Sequence, residues 1–225
     1  MSNGVQDFYD RWSNIYDKFS SNRFVQEWRN DSIQSLGFSG GETVVDVGCG
    51  TGANIPIFEE QIDENGDIVC VDISEDSLKS VRERVSKSSY DNVHPVRADG
   101  KRLPVDKPDV LYASFSVGMF PDSRGVVQNW IDILDEGDKI GLLNVVKSTE
   151  NDLMNKPIQV FTGLTLAGAS LDEKVENSIS GNAFESLDNK VRNVHELLRE
   201  ECVIIEEQSF FNGSVYSITA QVQED

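Results

Sequence analysis

The sequence predicts an α/β fold: a mostly parallel, seven-stranded sheet with helices on both faces and an antiparallel hairpin at the C-terminal end. Three observations predict it. From Thr43 onward, short runs rich in Val and Ile alternate with segments of helical periodicity, the pattern of a parallel sheet covered by helices. The first run ends in a turn carrying Gly48, Gly50 and Gly52, and a helix-like segment follows. Near the C-terminus, two strand-like runs flank Asn212-Gly213, a strong hairpin signal, so they are expected to be antiparallel. A chain of 225 residues fits one such domain, and we expect 1–225 to form it.

Residues 5–36 read as one or two amphipathic helices, with Phe8, Trp12, Ile15 and Phe19 on one face and Gly37 as the stop. Residues 1–40 are expected to cap the domain. The strands are expected at 43–47, 68–72, 93–98, 110–114 and 139–146, then at 202–210 and 214–222. Pro56 sits near the start of the helix after the glycine turn, where its missing N–H costs little. Ser74 caps the next helix, whose first turn holds Glu75 and Asp76 and whose buried stripe is Leu78, Val81 and Val85. A helix over 122–134 buries Val126, Val127, Trp130, Ile131 and Leu134, with Asp122 as its cap. Another places Leu187, Val191, Val194 and Leu198 at helical spacing. Between the fifth strand and that helix, 148–185 is expected to be a lid-like insertion.

Composition excludes several classes. Hydrophobic residues make up 38%, clustered enough for an ordinary core, and no apolar run approaches the roughly 20 residues that span a bilayer. The first residues lack the basic and apolar stretches of a signal peptide, so a cytoplasmic location is expected. Cys49, Cys70 and Cys202 lie far apart and are odd in number, which argues against a disulfide framework. No Cys/His cluster marks a metal site, and Cys70 and Cys202 read as buried packing. A formal net charge of −19 repels a phosphate backbone, and no dense basic run offsets it, so nucleic acid is not the expected partner. The spread-out acidic charge resembles the solvated surface of a salt-adapted protein. Stability should then rise between low and molar KCl, and equal unfolding midpoints across that series would remove the idea. Nothing in the pattern sets an oligomeric state.

The chemistry concentrates in Val44-Val-Asp-Val-Gly-Cys-Gly-Thr-Gly-Ala53. The glycines permit backbone angles barred to other residues and let a ligand approach the main chain. Asp72 ends the second strand and follows Gly52 by 20 residues, the separation at which an acid bonds ribose hydroxyls. Gly48, Gly50 and Ala53 also satisfy the nicotinamide and flavin fingerprint. Three features favour S-adenosylmethionine instead. Asp46 lies inside the turn, where a pyrophosphate would be repelled and a cationic sulfonium ligand with an ammonium group attracted. Asp99, after the third strand, can accept from an adenine amino group. The antiparallel hairpin is an unusual ending for a nicotinamide domain.

These motifs resemble class I, Rossmann-like methyltransferases: the glycine motif, Val71-Asp-Ile73, Ala98-Asp-Gly100, Tyr112-Ala-Ser-Phe-Ser-Val117 and Leu134-Asp-Glu-Gly-Asp138. The resemblance covers 43 to about 147 well and the hairpin loosely. It implies that Asp46 accepts from the methionine amino group, that Gly48 and Gly50, in the turn completed by Gly52, border the amino-acid moiety, and that Asp72 binds the ribose. It further implies that Ile73 packs on adenine, that Asp99, beside Gly100, binds its exocyclic amine, and that Ser114 and Phe115 line the sulfonium side. The N-terminal Tyr9-Asp-Arg-Trp12 and Tyr16-Asp-Lys18 are similar to quinone-biosynthesis and related small-molecule methyltransferases. That makes Tyr9 and Tyr16 candidates to meet the cofactor's carboxylate, the alternative being aromatic packing of a helix onto the sheet. The Gly-rich, basic ending of the quinone methyltransferases is not found after Phe210.

Such an enzyme would transfer a methyl group by in-line displacement to a small-molecule acceptor. Phe115, Met119 and Phe120 are expected either to form an apolar substrate wall or to pack as ordinary core. No residue stands out as catalytic base. His94 starts its strand, away from the ligand-binding ends, and His195, on a helix beside Val194 and Glu196 where solvent exposure is open to it, reads as structural. Two other functions remain open: an NAD(P)-dependent oxidoreductase, and a non-enzymatic binder that kept the nucleotide fold.

Overall fold

Residues that alternate inward with a period of two, and are apolar on both faces, need a helical layer above and below them. The computed structural model describes residues 23–88, 90–148 and 181–223, the side chains of 181–183 excepted. Its elements run α1 (Arg23–Gln34), β1 (Thr43–Val47), α2 (Ile55–Glu59), β2 (Asp67–Asp72), α3 (Glu75–Ser88), β3 (Val93–Arg97) and β4 (Val110–Ser114). There follow a 3-10 turn (Val117–Met119), α4 (Ser123–Ile131), β5 (Lys139–Val145), α5 (Gly181–Glu201), β6 (Cys202–Phe210) and β7 (Val215–Val222). The strands form one seven-stranded sheet in the order β3-β2-β1-β4-β5-β7-β6. All pairs are parallel except β5 with β7 and β6 with β7. The expected strands therefore stand, with ends moved by one residue where they differ at all.

Val44, Ile68, Cys70, Tyr112 and Leu143 belong to one core with residues of α1, α2 and α3. Val45, Val71, Leu111, Ile140 and Leu142 pack on the other face against α4 and α5. Trp130 is fully buried there; its indole N–H donates to the Gly100 carbonyl at 2.7 Å, and its ring meets Phe120 edge-on. Burying a large apolar side chain contributes about 2–3 kcal/mol, provided its polar atom is satisfied as here.

Caps and turns follow the local chemistry. Ser74 Oγ accepts from the Ser77 N–H at 3.2 Å, and Asp122 Oδ1 accepts from the Gly125 N–H at 2.9 Å. Gly37 ends α1 at φ 61°. At the β6–β7 hairpin Phe211, Asn212 and Gly213 all lie in the left-handed region, with φ 51°, 53° and 75°.

One open point closes and one expectation changes. His195 does not face solvent: it is 4% exposed, stacked on Tyr216 with centroids 5.1 Å apart. The reason is helical phase, since α5 turns Val194 and His195 inward together against the sheet. Cys70 is buried as expected, whereas Cys202, on the edge strand β6, is only half-buried. The expectations for Tyr9, Tyr16 and the other residues before 23, and for most of the lid-like 148–185 insertion, fall outside the described residues. Among the described residues, no helix is long and apolar enough to cross a membrane.

Candidate functional site

The strand order reverses between β1 and β4, and in such sheets the crevice beyond the carboxyl ends at that point receives ligands. The glycine turn leaves β1 there. Gly48, Gly50 and Gly52 all have positive φ, at 72°, 54° and 78°. A Cβ on Gly48 would also lie 2.7 Å from Ser116 Cβ, because the turn presses against the loop after β4. Ser116 Oγ donates to the Val47 carbonyl at 2.9 Å, which ties the two loops together.

Asp72 holds the turn from the other side. One carboxylate oxygen accepts from the Gly50 N–H at 2.9 Å, and the other from the Ser74 N–H at 2.8 Å. The acid expected to meet ribose is thus fixed by two backbone donors, and free lone pairs remain on each oxygen for hydroxyl donors. Ile73 beside it is 67% exposed, an apolar side chain with a free face. Asp99 lies just past the end of β3, on the same edge of the sheet. It is exposed, with Oδ1 accepting from the Lys101 N–H at 3.0 Å. Gly100 lines the packed floor: a Cβ there would come within 2.8 Å of Val47 Cγ1 and 2.9 Å of Phe120 Cζ.

Asp46 is wholly buried on β1. Both its oxygens accept from Asn54 Nδ2 at 3.0 Å. Burial pushes its pKa up to about 7, against the lowering pull of the Asn54 hydrogen bond and the Arg29 charge. Arg29 Nη1 donates to Asn54 Oδ1 at 2.5 Å and to Ser114 Oγ at 2.6 Å, and Asn54 Nδ2 also reaches Ser114 Oγ at 3.1 Å. Ser114, expected on the sulfonium side, therefore stands in this buried network at the end of β4. Phe115 follows it in the left-handed region, φ 58°, with the Arg29 guanidinium carbon 5.1 Å from its ring centroid. Cys49, within the turn, is no poised nucleophile: its hydrogen bond with Cys70 and its burial raise its thiol well above the usual range.

The structure thus brings Asp46, the glycine turn, Asp72, Ser114 and Phe115 to one end of the sheet, with Ile73, Asp99 and Gly100 along its β2–β3 side. Two residues of the network were not foreseen. Asn54 stands at the N-cap of α2, but its side chain makes no cap bond and turns to Asp46 instead. Arg29 is 3% exposed on α1, in phase with buried Val25, Ser32 and Ile33. A cation on an apolar stripe was the available signal.

Fold and site define a Rossmann-like α/β domain whose glycine turn and acidic strand ends gather at the switch point of its sheet. The chain belongs to the ubiE/COQ5 methyltransferase family, whose model matches residues 1–177. Among its relatives, a demethylmenaquinone methyltransferase of Shouchella clausii is 28% identical over 152 residues, 64% of this chain and 65% of that protein. The aklanonic acid methyltransferase DauC of a Streptomyces species is 27% identical over 144 residues, 63% and 65% of the two chains. The chain spans just under two thirds of the length of these curated relatives. Of the solved structures, the N-methyltransferase NodS of Bradyrhizobium japonicum, in complex with S-adenosyl-l-homocysteine, superposes with a TM-score of 0.63. It is 10% identical, over 91% of this chain and 90% of that one, which is a likeness of fold.

Proposed function

We propose that this protein transfers a methyl group from S-adenosylmethionine to a small-molecule acceptor. The observation that carries the reading is the glycine turn at the switch point, with the buried Asp46 carboxylate two residues before it on β1 rather than in the turn itself. A dinucleotide's pyrophosphate would be repelled there, whereas an amino-acid ammonium gains a charge-assisted hydrogen bond. The acids and glycines at this end of the sheet match the cofactor's groups in kind. Asp46 would take the amino group, Gly48 and Gly50 the amino-acid backbone, and Asp72 the ribose hydroxyls. Ile73 would cover adenine and Asp99 would accept from its exocyclic amine. Gly100 keeps the floor beneath, and Gly52 starts the turn toward α2.

When bound, the cofactor supplies an electrophilic methyl on a sulfonium leaving group. The protein's share is to hold the acceptor in line and exclude water, a contribution of large potential size. Met119, 38% exposed after β4, offers apolar surface for an uncharged or aromatic acceptor, whereas Phe115 and Phe120, half-buried, pack against the two cores. The two relatives are named for methylating demethylmenaquinone and aklanonic acid, which supports an acceptor of that kind. The net charge of −19 supports a small molecule over nucleic acid.

Calorimetric titration with S-adenosylhomocysteine, with NADH in parallel, tests the cofactor. Binding of the former alone is expected; binding of NADH alone would overturn the reading. Asp72→Ala should weaken S-adenosylhomocysteine binding by about 1–3 kcal/mol, because it removes the acceptor for ribose and frees the Gly50 N–H. Unchanged affinity would remove Asp72 from the site.

A further inference from the structure

Arg29 stands outside every role so far given to the site, yet it is buried beside the group that carries the functional reading. Its contacts explain how Asp46 is presented. The two ends of an asparagine amide have nearly the same shape, so the neighbours decide which end faces where. Arg29 has donors only, so Asn54 must turn its oxygen toward the guanidinium. That choice aims the Asn54 N–H group at Asp46, where a donor favours the ionised carboxylate. Ser114 Oγ accepts from both Arg29 and Asn54, and so reinforces the same orientation. Arg29 itself is held in place by the Phe115 ring.

We propose that Arg29 is a positioning residue: through the amide of Asn54 it keeps the Asp46 carboxylate ionised and turned to receive the amino group of the cofactor. The inference rests on the functional reading above, which assigns that amino group to Asp46. The groups facing Asp46 from the surrounding elements are Arg29 from α1, Asn54 at the head of α2, Cys49 in the turn, Asp72 at the end of β2 and Tyr112 on β4, with Ser114 one hydrogen bond further on through Asn54. Cys70 lies opposite it in register on β2. Arg29 is the one cation among them. Arg29 also lowers the Asp46 midpoint directly through its charge, so the route through the amide is read from Asn54→Leu, which keeps that charge and should still raise the midpoint.

The test follows Asp46 by carbon-13 carboxyl NMR across pH 5.5–8.5 in the cofactor-free protein, with S-adenosylhomocysteine affinity measured over the same range. Arg29→Met should move the Asp46 midpoint up by about one pH unit or more and lower affinity at pH 7 about tenfold. Arg29→Lys keeps a donor-only cation and should return the midpoint close to wild type. Thermal unfolding checks that each variant folds; where Arg29→Met does not, Asn54→Leu carries the test. An unmoved midpoint in folded Arg29→Met or Asn54→Leu, with cofactor binding intact, overturns this proposal alone. A wild-type chain that does not bind S-adenosylhomocysteine overturns the functional reading instead.

Discussion

Asp46→Asn is expected to make the cofactor-free protein more stable at pH 8 and at the same time to cripple cofactor binding. Burial raises the Asp46 pKa from 3.8 to about 7, so the folded state holds this proton more tightly than the unfolded chain does. The stabilisation from that proton is present below pH 3.8 and is lost as pH rises through about 7. At pH 8 the ionised group therefore costs the fold about 4 kcal/mol, at about 1.4 kcal/mol for each pH unit separating the folded and unfolded midpoints. Asparagine removes the charge, although the attraction of the Arg29 charge for Asp46 is then lost and one acceptor oxygen disappears. A net gain of about 2 kcal/mol at pH 8, shrinking toward nothing near pH 4, is the expected balance. Affinity for S-adenosylhomocysteine should fall by about 2–3 kcal/mol, the scale of a hydrogen bond to a charged group. Denaturant unfolding at the two pH values and one titration measure both. A variant destabilised at pH 8 that still binds normally would show that Asp46 serves the fold and not the ligand.

His195→Phe should make the protein resistant to acid. Burial, helped by the nearby Arg199 and Arg192 charges, pushes the His195 pKa down to about 3, so the folded state keeps the ring neutral. The unfolded chain takes up a proton below about pH 6.5. Stability is therefore intact above that pH and drains away as pH falls toward 3, by about 1.4 kcal/mol for each pH unit. The Nε2 atom is also buried without a partner among the described residues, which adds a cost that phenylalanine avoids. The aromatic replacement keeps the stack on Tyr216. Near pH 7 the variant should gain only the relief of that Nε2 atom, about 1 kcal/mol, and at pH 4.5 it should be more stable by about 2–3 kcal/mol beyond that. Parallel stability-versus-pH curves for the two proteins would show instead that His195 titrates alike in the folded and unfolded states.

Much of the frame was legible because its signals are local. Thr43–Val47 and Val110–Ser114 were expected at the observed bounds, since a strand buried on both faces is a continuous apolar run. Ser74 and Asp122 cap helices through atoms only three residues away. The glycine turn was visible because only glycine is at ease at all three of its positive φ values. The positions of Asp46 and Asp72 at strand ends follow from the same run lengths.

What the sequence by itself determined is therefore the α/β order, the turn, and which acids stand at the strand ends: each depends on neighbours a few residues away. The tertiary structure alone decided who surrounds those acids. Arg29 meets Asn54 across 25 residues and Ser114 across 85, and His195 goes inward because of the surface that α5 packs against. Burial and charge pairing are properties of three-dimensional surroundings. They turn an ordinary aspartate into one that titrates near pH 7 and an ordinary histidine into one that stays neutral, and no spacing along the chain encodes that.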